Sequence, residues 1–233
     1  MLSKLFRSTP KWQSPKAQKR IEAIAALRPE LDTDGFILTQ LARSDSEPSV
    51  RREAVARLHD LDTVTQIQKR DLDAGVRDAA TQRLQELLAG KGPHCPDVAT
   101  RCALLARLGN TPTLLYLIRE AEPIEVRLAA VSHLQDELCL LETAQQASAA
   151  SVRQAAAERI TTPKMLEELA AHARQKDKAV YRIVKTRLDA LHETGRQAER
   201  QHERAEALCA SMEAHARAAM NPLYAARTES LRQ

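Results

Sequence analysis

Apolar positions in this chain fall in short blocks at helical spacing, and no sustained stretch alternates apolar with polar residues. The clearest block runs Ser49-Val50-Arg51-Arg52-Glu53-Ala54-Val55-Ala56-Arg57-Leu58. It returns between Gly75 and Leu84, opening on Val76-Arg77 and closing on Arg83-Leu84. Further copies begin at Val126-Arg127 and Val152-Arg153. A weaker copy runs Arg101-Cys102-Ala103-Leu104-Leu105-Ala106-Arg107-Leu108, and degenerate ones surround Arg20 to Leu27 and Val180 to Leu188. The opening arginines stand at 51, 77, 101, 127 and 153, a period of 24 to 26 residues. At about 100° per residue, Val50, Ala54 and Leu58 share one narrow stripe, with Arg51 and Arg57 flanking it on opposite sides. Each block is predicted to be the longer helix of a two-helix unit.

Shorter helical segments with cap signals lie between the blocks. Thr63 to Ile67 follows Asp60-Leu61-Asp62. Thr111-Pro112 reads as an N-cap threonine followed by proline at the first helical position, and Thr162-Pro163 repeats that design. One such unit buries little alone, whereas stacked units build a continuous core. The chain is therefore predicted to be all-α. A right-handed α-solenoid of about six or seven helical hairpins occupies residues 14–190, after a basic leader at 1–13.

The Val-Arg-x-x-Ala-x-x-x-Arg-Leu blocks resemble HEAT-like repeats. The Asn110-Thr111-Pro112 and Thr162-Pro163 pieces, each leading into leucines, are similar to the leucine-rich-repeat-variant class. The start, Met1-Leu2-Ser3-Lys4-Leu5-Phe6 with Lys11-Trp12, resembles the N-terminal repeat region of bacterial proteins bearing the domain of unknown function 349. That resemblance covers roughly residues 1–190 and implies helical repeats followed by coiled-coil-like modules. It implies no known activity.

Beyond residue 190 the pattern changes. Residues 191–233 hold six Glu and six Arg. Leu188, Leu191, Ala198, Ala205, Met212 and Ala219 fit the seam of a coiled-coil-like helix, weakened by Gly195 and His202. A long helix is expected to Met220, with a break possible at Gly195, and Asn221-Pro222 then ends it. The second helix that follows is unfinished at Gln233, so the native protein is expected to continue.

Composition narrows the functions. The chain has two Phe, three Tyr and one Trp among its 233 residues, so its apolar content is mainly Ala, Leu and Val. That suits thin two-layer helix packing and disfavours base-stacking platforms or the aromatic cleft of a HEAT-like DNA glycosylase. No membrane-length apolar run and no secretory signal occur. Cys95, Cys102, Cys139 and Cys209 form no C-x-x-C pair and read as free thiols of a reducing, cytoplasmic compartment. No metal or other cofactor is expected. No phosphate loop, nucleophile elbow or zinc-protease motif is found, so no catalytic residue is assigned.

Charge supplies the binding candidates. Residues 1–20 carry Lys4, Arg7, Lys11, Lys16, Lys19 and Arg20 without an acid, leaving −2 of the overall +4 for the rest. The first arginine series, Arg51, Arg77, Arg101, Arg127 and Arg153, follows acids such as Asp45, Asp71, Asp97 and Glu122, and reads as a structural ladder. The second series, Arg57, Arg83, Arg107, Arg159 and Arg187, has fewer acids nearby and reads as the ligand-facing row. With Trp12 and the leader cations, it forms the candidate binding surface. The expected function is a non-catalytic scaffold that binds a protein partner. The alternative is nucleic-acid binding through the leader and the second arginine row. No small-molecule substrate is expected.

Overall fold

The computed structural model describes residues 10–92, 94–217 and 223–232. Among them the regular structure is wholly helical, with thirteen α-helices after a 3-10 turn at Lys11–Gln13. Contacts cluster into two compact units, Met1–Arg159 and Ile160–Gln233. The first unit holds α1 (Ala17–Ala26), α2 (Asp32–Ser44), α3 (Pro48–Val55), α4 (Leu61–Arg70) and α5 (Ala74–Ala89). It continues with α6 (Val98–Leu108), α7 (Thr111–Glu120), α8 (Ile124–His133), α9 (Glu137–Gln146) and α10 (Ala150–Arg159). The second unit holds α11 (Pro163–Ala173), α12 (Lys178–Arg217) and α13 (Tyr224–Arg232).

Within the first unit packing is pairwise and repetitive. α2 pairs with α3, α4 with α5, α7 with α8, and α9 with α10. The arginine-bearing helices also stack, α1 on α3, α3 on α5, α6 on α8 and α8 on α10. This is a solenoid-like arrangement, and the predicted stripe is its core. Val50, Ala54 and Leu58 are buried, as are Val76, Ala80 and Leu84, and Val126, Ala130 and Leu134. Small alanines at the centre of each stripe let neighbouring helices approach closely.

The arginine-bearing helices are not all the longer partners that the sequence suggested: α5 is, with 16 residues against 10 in α4, but others are not. α3 has 8 residues against 10 in α4, and α8 and α9 both have 10. The reason lies in the closing leucine. The N–H groups of Leu27, Leu58 and Leu134 each donate to the carbonyl three residues back, on Ile24, Val55 and Val131. That tighter bond makes a final tight turn, and the helix does not run past the leucine. Side-chain caps start helices of both kinds: Thr63 N–H donates to Asp60 at α4, and Thr100 N–H to Asp97 at α6. At α7 the cap is Asn110, which accepts from Thr113 N–H, so Thr111 lies inside the helix instead of capping it. Asparagine is the stronger N-cap residue of the two.

One place breaks the repeat. α5 runs on to Ala89 and ends at Gly90, whose φ of 85° is the left-handed conformation glycine favours. Gly92 and His94 also have positive φ before Asp97 caps α6. In α6, Thr100 holds the position that Val50, Val76, Val126 and Val152 hold elsewhere; the valines are buried and Thr100 is exposed. Without that buried valine, α6 does not stack on α5 as α5 stacks on α3.

In the second unit α11 packs on the first part of α12, where Val180 and Val184 are buried. α12 runs unbroken through Gly195, the residue at which the sequence had left a break possible. An interior glycine costs about 1 kcal/mol relative to alanine. Residues of good helix propensity on both sides, and the Glu193–Arg196 ion pair, outweigh that cost. Every residue from Thr194 to Ala210 is exposed, including the expected seam positions Ala198 and Ala205. His215 Nε2 lies 2.9 Å from Thr228 Oγ1, joining α12 to α13. The expected helix stop at Asn221-Pro222 and the seam residue Ala219 lie outside the described residues.

Candidate partner-binding groove and the arginine rows

The first arginine series is tied to backbone. Arg51 Nη1 donates to the carbonyl of Asp45 at 2.9 Å, Arg77 Nη1 to that of Asp71 at 2.8 Å, and Arg153 Nη1 to that of Ala147 at 2.8 Å. Arg127 Nε donates to Ala121 O. Each acceptor is the C-cap residue of the preceding helix, so the guanidinium satisfies an orphan carbonyl at the negative end of that helix. Arg20 belongs to the same series: its Nη1 donates to Ser14 O and its Nε and Nη2 grip Asp45, both at 2.7 Å.

Acid pairing runs forward along the chain. Arg51 grips Asp71 through Nε and Nη2, both at 2.9 Å. Asp71 thus takes Arg51 on its carboxylate and Arg77 on its carbonyl. The Arg51 guanidinium holds the Asp71 carboxyl below the ordinary carboxylate range. Asp97, expected beside Arg101, instead spends its carboxylate on capping Thr100. Arg101 is the buried exception, 7% exposed, and its Nη1 reaches back only to Leu88 O at 3.4 Å.

The second series proves equally engaged in most places. Arg57 Nη2 donates to Leu27 O and Arg83 Nε to Leu58 O, both at 2.8 Å. Arg159 Nη1 donates to Val131 O. Scarcity of nearby acids had marked these residues as ligand-facing, but their partners are carbonyls near the C-terminal end of the preceding arginine-bearing helix. Arg187 lies in α12, half-buried.

Arg107 departs from this row. It sits on α6, next to the repeat break, and is exposed with no hydrogen bond or ion pair to the described residues. It lines a groove between α4 and α6. One stretch, about 400 Å³, is bounded by His59, Asp60, Leu61 and Asp62 on one side and Pro96, Thr100, Ala103 and Leu104 on the other. An adjoining stretch of about 220 Å³ lies between Asp62, Thr65, Gln66, Lys69 and Arg70 of α4 and Leu104, Arg107 and Leu108 of α6. Asp62, Lys69 and Arg70 are likewise exposed and without a partner among the described residues. Thr65 Oγ1 is buried without a hydrogen-bond partner.

The groove is polar in a graded way. Asp60 lines only the first stretch, Lys69 and Arg70 line only the second, and Asp62 and Arg107 line both. In the first stretch the His59 ring stacks on His94, with centroids 5.3 Å apart. Burial, and then the charge of Arg83, holds the His59 imidazole below its ordinary pKa of 6.5.

The leader candidates divide. Lys4 and Arg7 lie outside the described residues. Lys11, Lys16 and Lys19 are exposed, and Trp12 is half-buried in the 3-10 turn against α1. Among the described residues Cys95, Cys102, Cys139 and Cys209 are free thiols, and burial raises the pKa of Cys102 and Cys139. No group of three His, Cys, Asp or Glu among them could hold a metal ion. None of the described helices is long and apolar enough to cross a membrane. No protein-family model, no curated protein and no solved structure matches this chain.

Proposed function

We propose that this chain is a non-catalytic helical-repeat scaffold that binds a protein partner through the surface of its first unit. One observation carries the reading: seven repeat arginines spend guanidinium N–H groups on backbone carbonyls. These are Arg51, Arg77, Arg127 and Arg153 of the first row and Arg57, Arg83 and Arg159 of the second. Turning any of them to a phosphate would strip a part-buried carbonyl of its donor. The rows that a nucleic-acid track would need are therefore occupied by the fold itself. The repeats are left with local, mixed-charge surface of the kind proteins recognise.

The nucleic-acid reading is favoured by the exposure of Lys11, Lys16 and Lys19. The test is an anisotropy titration with a single-stranded RNA and a DNA duplex at two salt concentrations. It compares the full chain with a variant carrying glutamine at Lys4, Arg7, Lys11, Lys16 and Lys19. Arg20 is kept, because it bonds Asp45. The scaffold reading expects binding no tighter than about 10⁻⁴–10⁻⁶ M at physiological salt in both proteins. Tight binding that falls steeply with salt and is lost in the glutamine variant would sink it.

A further inference from the structure

The groove between α4 and α6 exists because the repeat fails there, and the failure frees charges that other repeats consume. Arg57, Arg83 and Arg159 each find a carbonyl on a preceding repeat. Arg107 holds the same position in its block but has no such partner, since α6 does not stack on α5. It stands instead across the groove from Lys69 and Arg70, which are also unpaired. Three cations without an ion-pair partner among the described residues, and one acid, Asp62, thus line this stretch of the cleft. Beneath them lies an apolar floor of Leu104 and Leu108, with Leu61 further along.

We propose that this groove holds a short acidic, amphipathic segment of a partner protein. Its carboxylates lie against Lys69, Arg70 and Arg107, and an apolar side chain rests on Leu104. The proposal rests on the scaffold reading and names the partner's chemistry. Charge complementarity selects acids for these cations. A nucleic-acid backbone fits poorly, because its evenly spaced phosphates would meet Asp62 and Asp60 along the groove, and no Phe, Tyr or Trp lines the walls for base stacking. The α4 wall presents Asp62, Gln66 and Arg70 at helical spacing, a length of about 12 Å at a 1.5 Å rise per residue. That matches about two turns of a docked helix, the helix-in-groove mode of recognition.

The experiment uses the full chain and fluorescein-labelled peptides about three helical turns long. One has glutamates at one end and leucines at helical spacing, one has lysines in place of the glutamates, and one has serines in place of the leucines. A single-stranded RNA of similar charge is the fourth probe. The Glu/Leu peptide is expected to bind. Arg107→Glu, and separately Lys69→Glu with Arg70→Glu, should each weaken it about tenfold or more. Arg204→Glu, an equal charge change on exposed α12, should leave it unchanged. The Lys/Leu and Glu/Ser peptides should bind clearly more weakly. The targeted side chains make no bonds to the described residues, so circular dichroism should show wild-type melts. If a reversal variant melts early, the glutamine versions are measured in its place. Failure of the Glu/Leu peptide to bind, equal loss in Arg204→Glu, or equal binding of the Glu/Ser peptide overturns the groove proposal. Tight RNA binding insensitive to Arg107→Glu and abolished by the leader glutamines overturns the scaffold reading itself. No RNA binding together with no peptide binding overturns the groove alone.

Discussion

Arg51 joins three stretches of chain with one side chain. Its fork grips Asp71 in the next repeat and its remaining arm closes the end of α2 at Asp45. Both charged side chains are nearly shielded from solvent, at 13% and 8% exposure. Arg51→Ala should therefore lower stability by roughly 1–3 kcal/mol, the range for charged hydrogen bonds with a buried partner left behind. Arg107→Ala, which removes no bond, should leave the melt unchanged; equal losses in the two variants would count against this contrast. Acid provides a second check. The folded Asp71 pKa is depressed below its ordinary 3.8, so its contribution is full above that value. It is lost as pH falls through the folded value, because the unfolded state then binds the proton more readily. Melts from neutral pH downward should show this acid-labile component, and Asp71→Asn should remove much of it. The arginine spacing was legible in the sequence, as were the acids Asp45 and Asp71. The carbonyl acceptors were not, because a backbone oxygen has no letter, and so Arg57, Arg83 and Arg159 read as unattached.

At the level of helices, pattern and outcome agree where side chains decide and part where termini decide. The buried stripe of Val, Ala and Leu followed from a 3.6-residue period alone. Helix ends depended on local bonds instead: the closing leucines, the Asn110 cap, and Gly90. Gly90 sits where any other residue would be strained, and a Cβ there would lie 2.6 Å from Arg101 Nη1. Gly109 also has positive φ, but a Cβ there would meet nothing within 4 Å. Gly109→Ala should cost about 1–2 kcal/mol for the left-handed backbone. Gly90→Ala should cost more, since buried Arg101 must also move. Urea melts of the two variants decide this, and a Gly90 cost no larger than that of Gly109 would argue against tight packing of Arg101. The weak copy at Arg101 to Leu108 was visible in sequence as a degraded repeat. Its meaning was hidden, because nothing local says that an exposed Thr100 opens a groove against α4.

On the scale of the whole chain, the all-helical class, the period and the long C-terminal helix were all readable from sequence. The division after Arg159 was not, since the repeat pattern runs on past it. The interruption at α5 and α6 has a thermodynamic side. In a stack of repeats stability is close to a sum of nearest-neighbour couplings, and all-or-none melting requires each coupling to be strong. Across the interruption the coupling passes through α5 and α7, by the Ala89–Glu122 backbone bond, the Gln85–Thr113 contact at 3.4 Å and the exposed Lys91–Glu120 pair, and through the single long Arg101–Leu88 bond between α6 and α5. Exposed ion pairs of that kind contribute about 0–1 kcal/mol. Hydrogen exchange on the native protein should therefore find that amides of α1–α5 and α6–α10 open with two distinct free energies, and a single shared value would refute it. Were the two blocks to open separately, the groove would melt whenever either wall did, and an occupant bridging α4 and α6 would act as the clasp that makes the two blocks unfold as one.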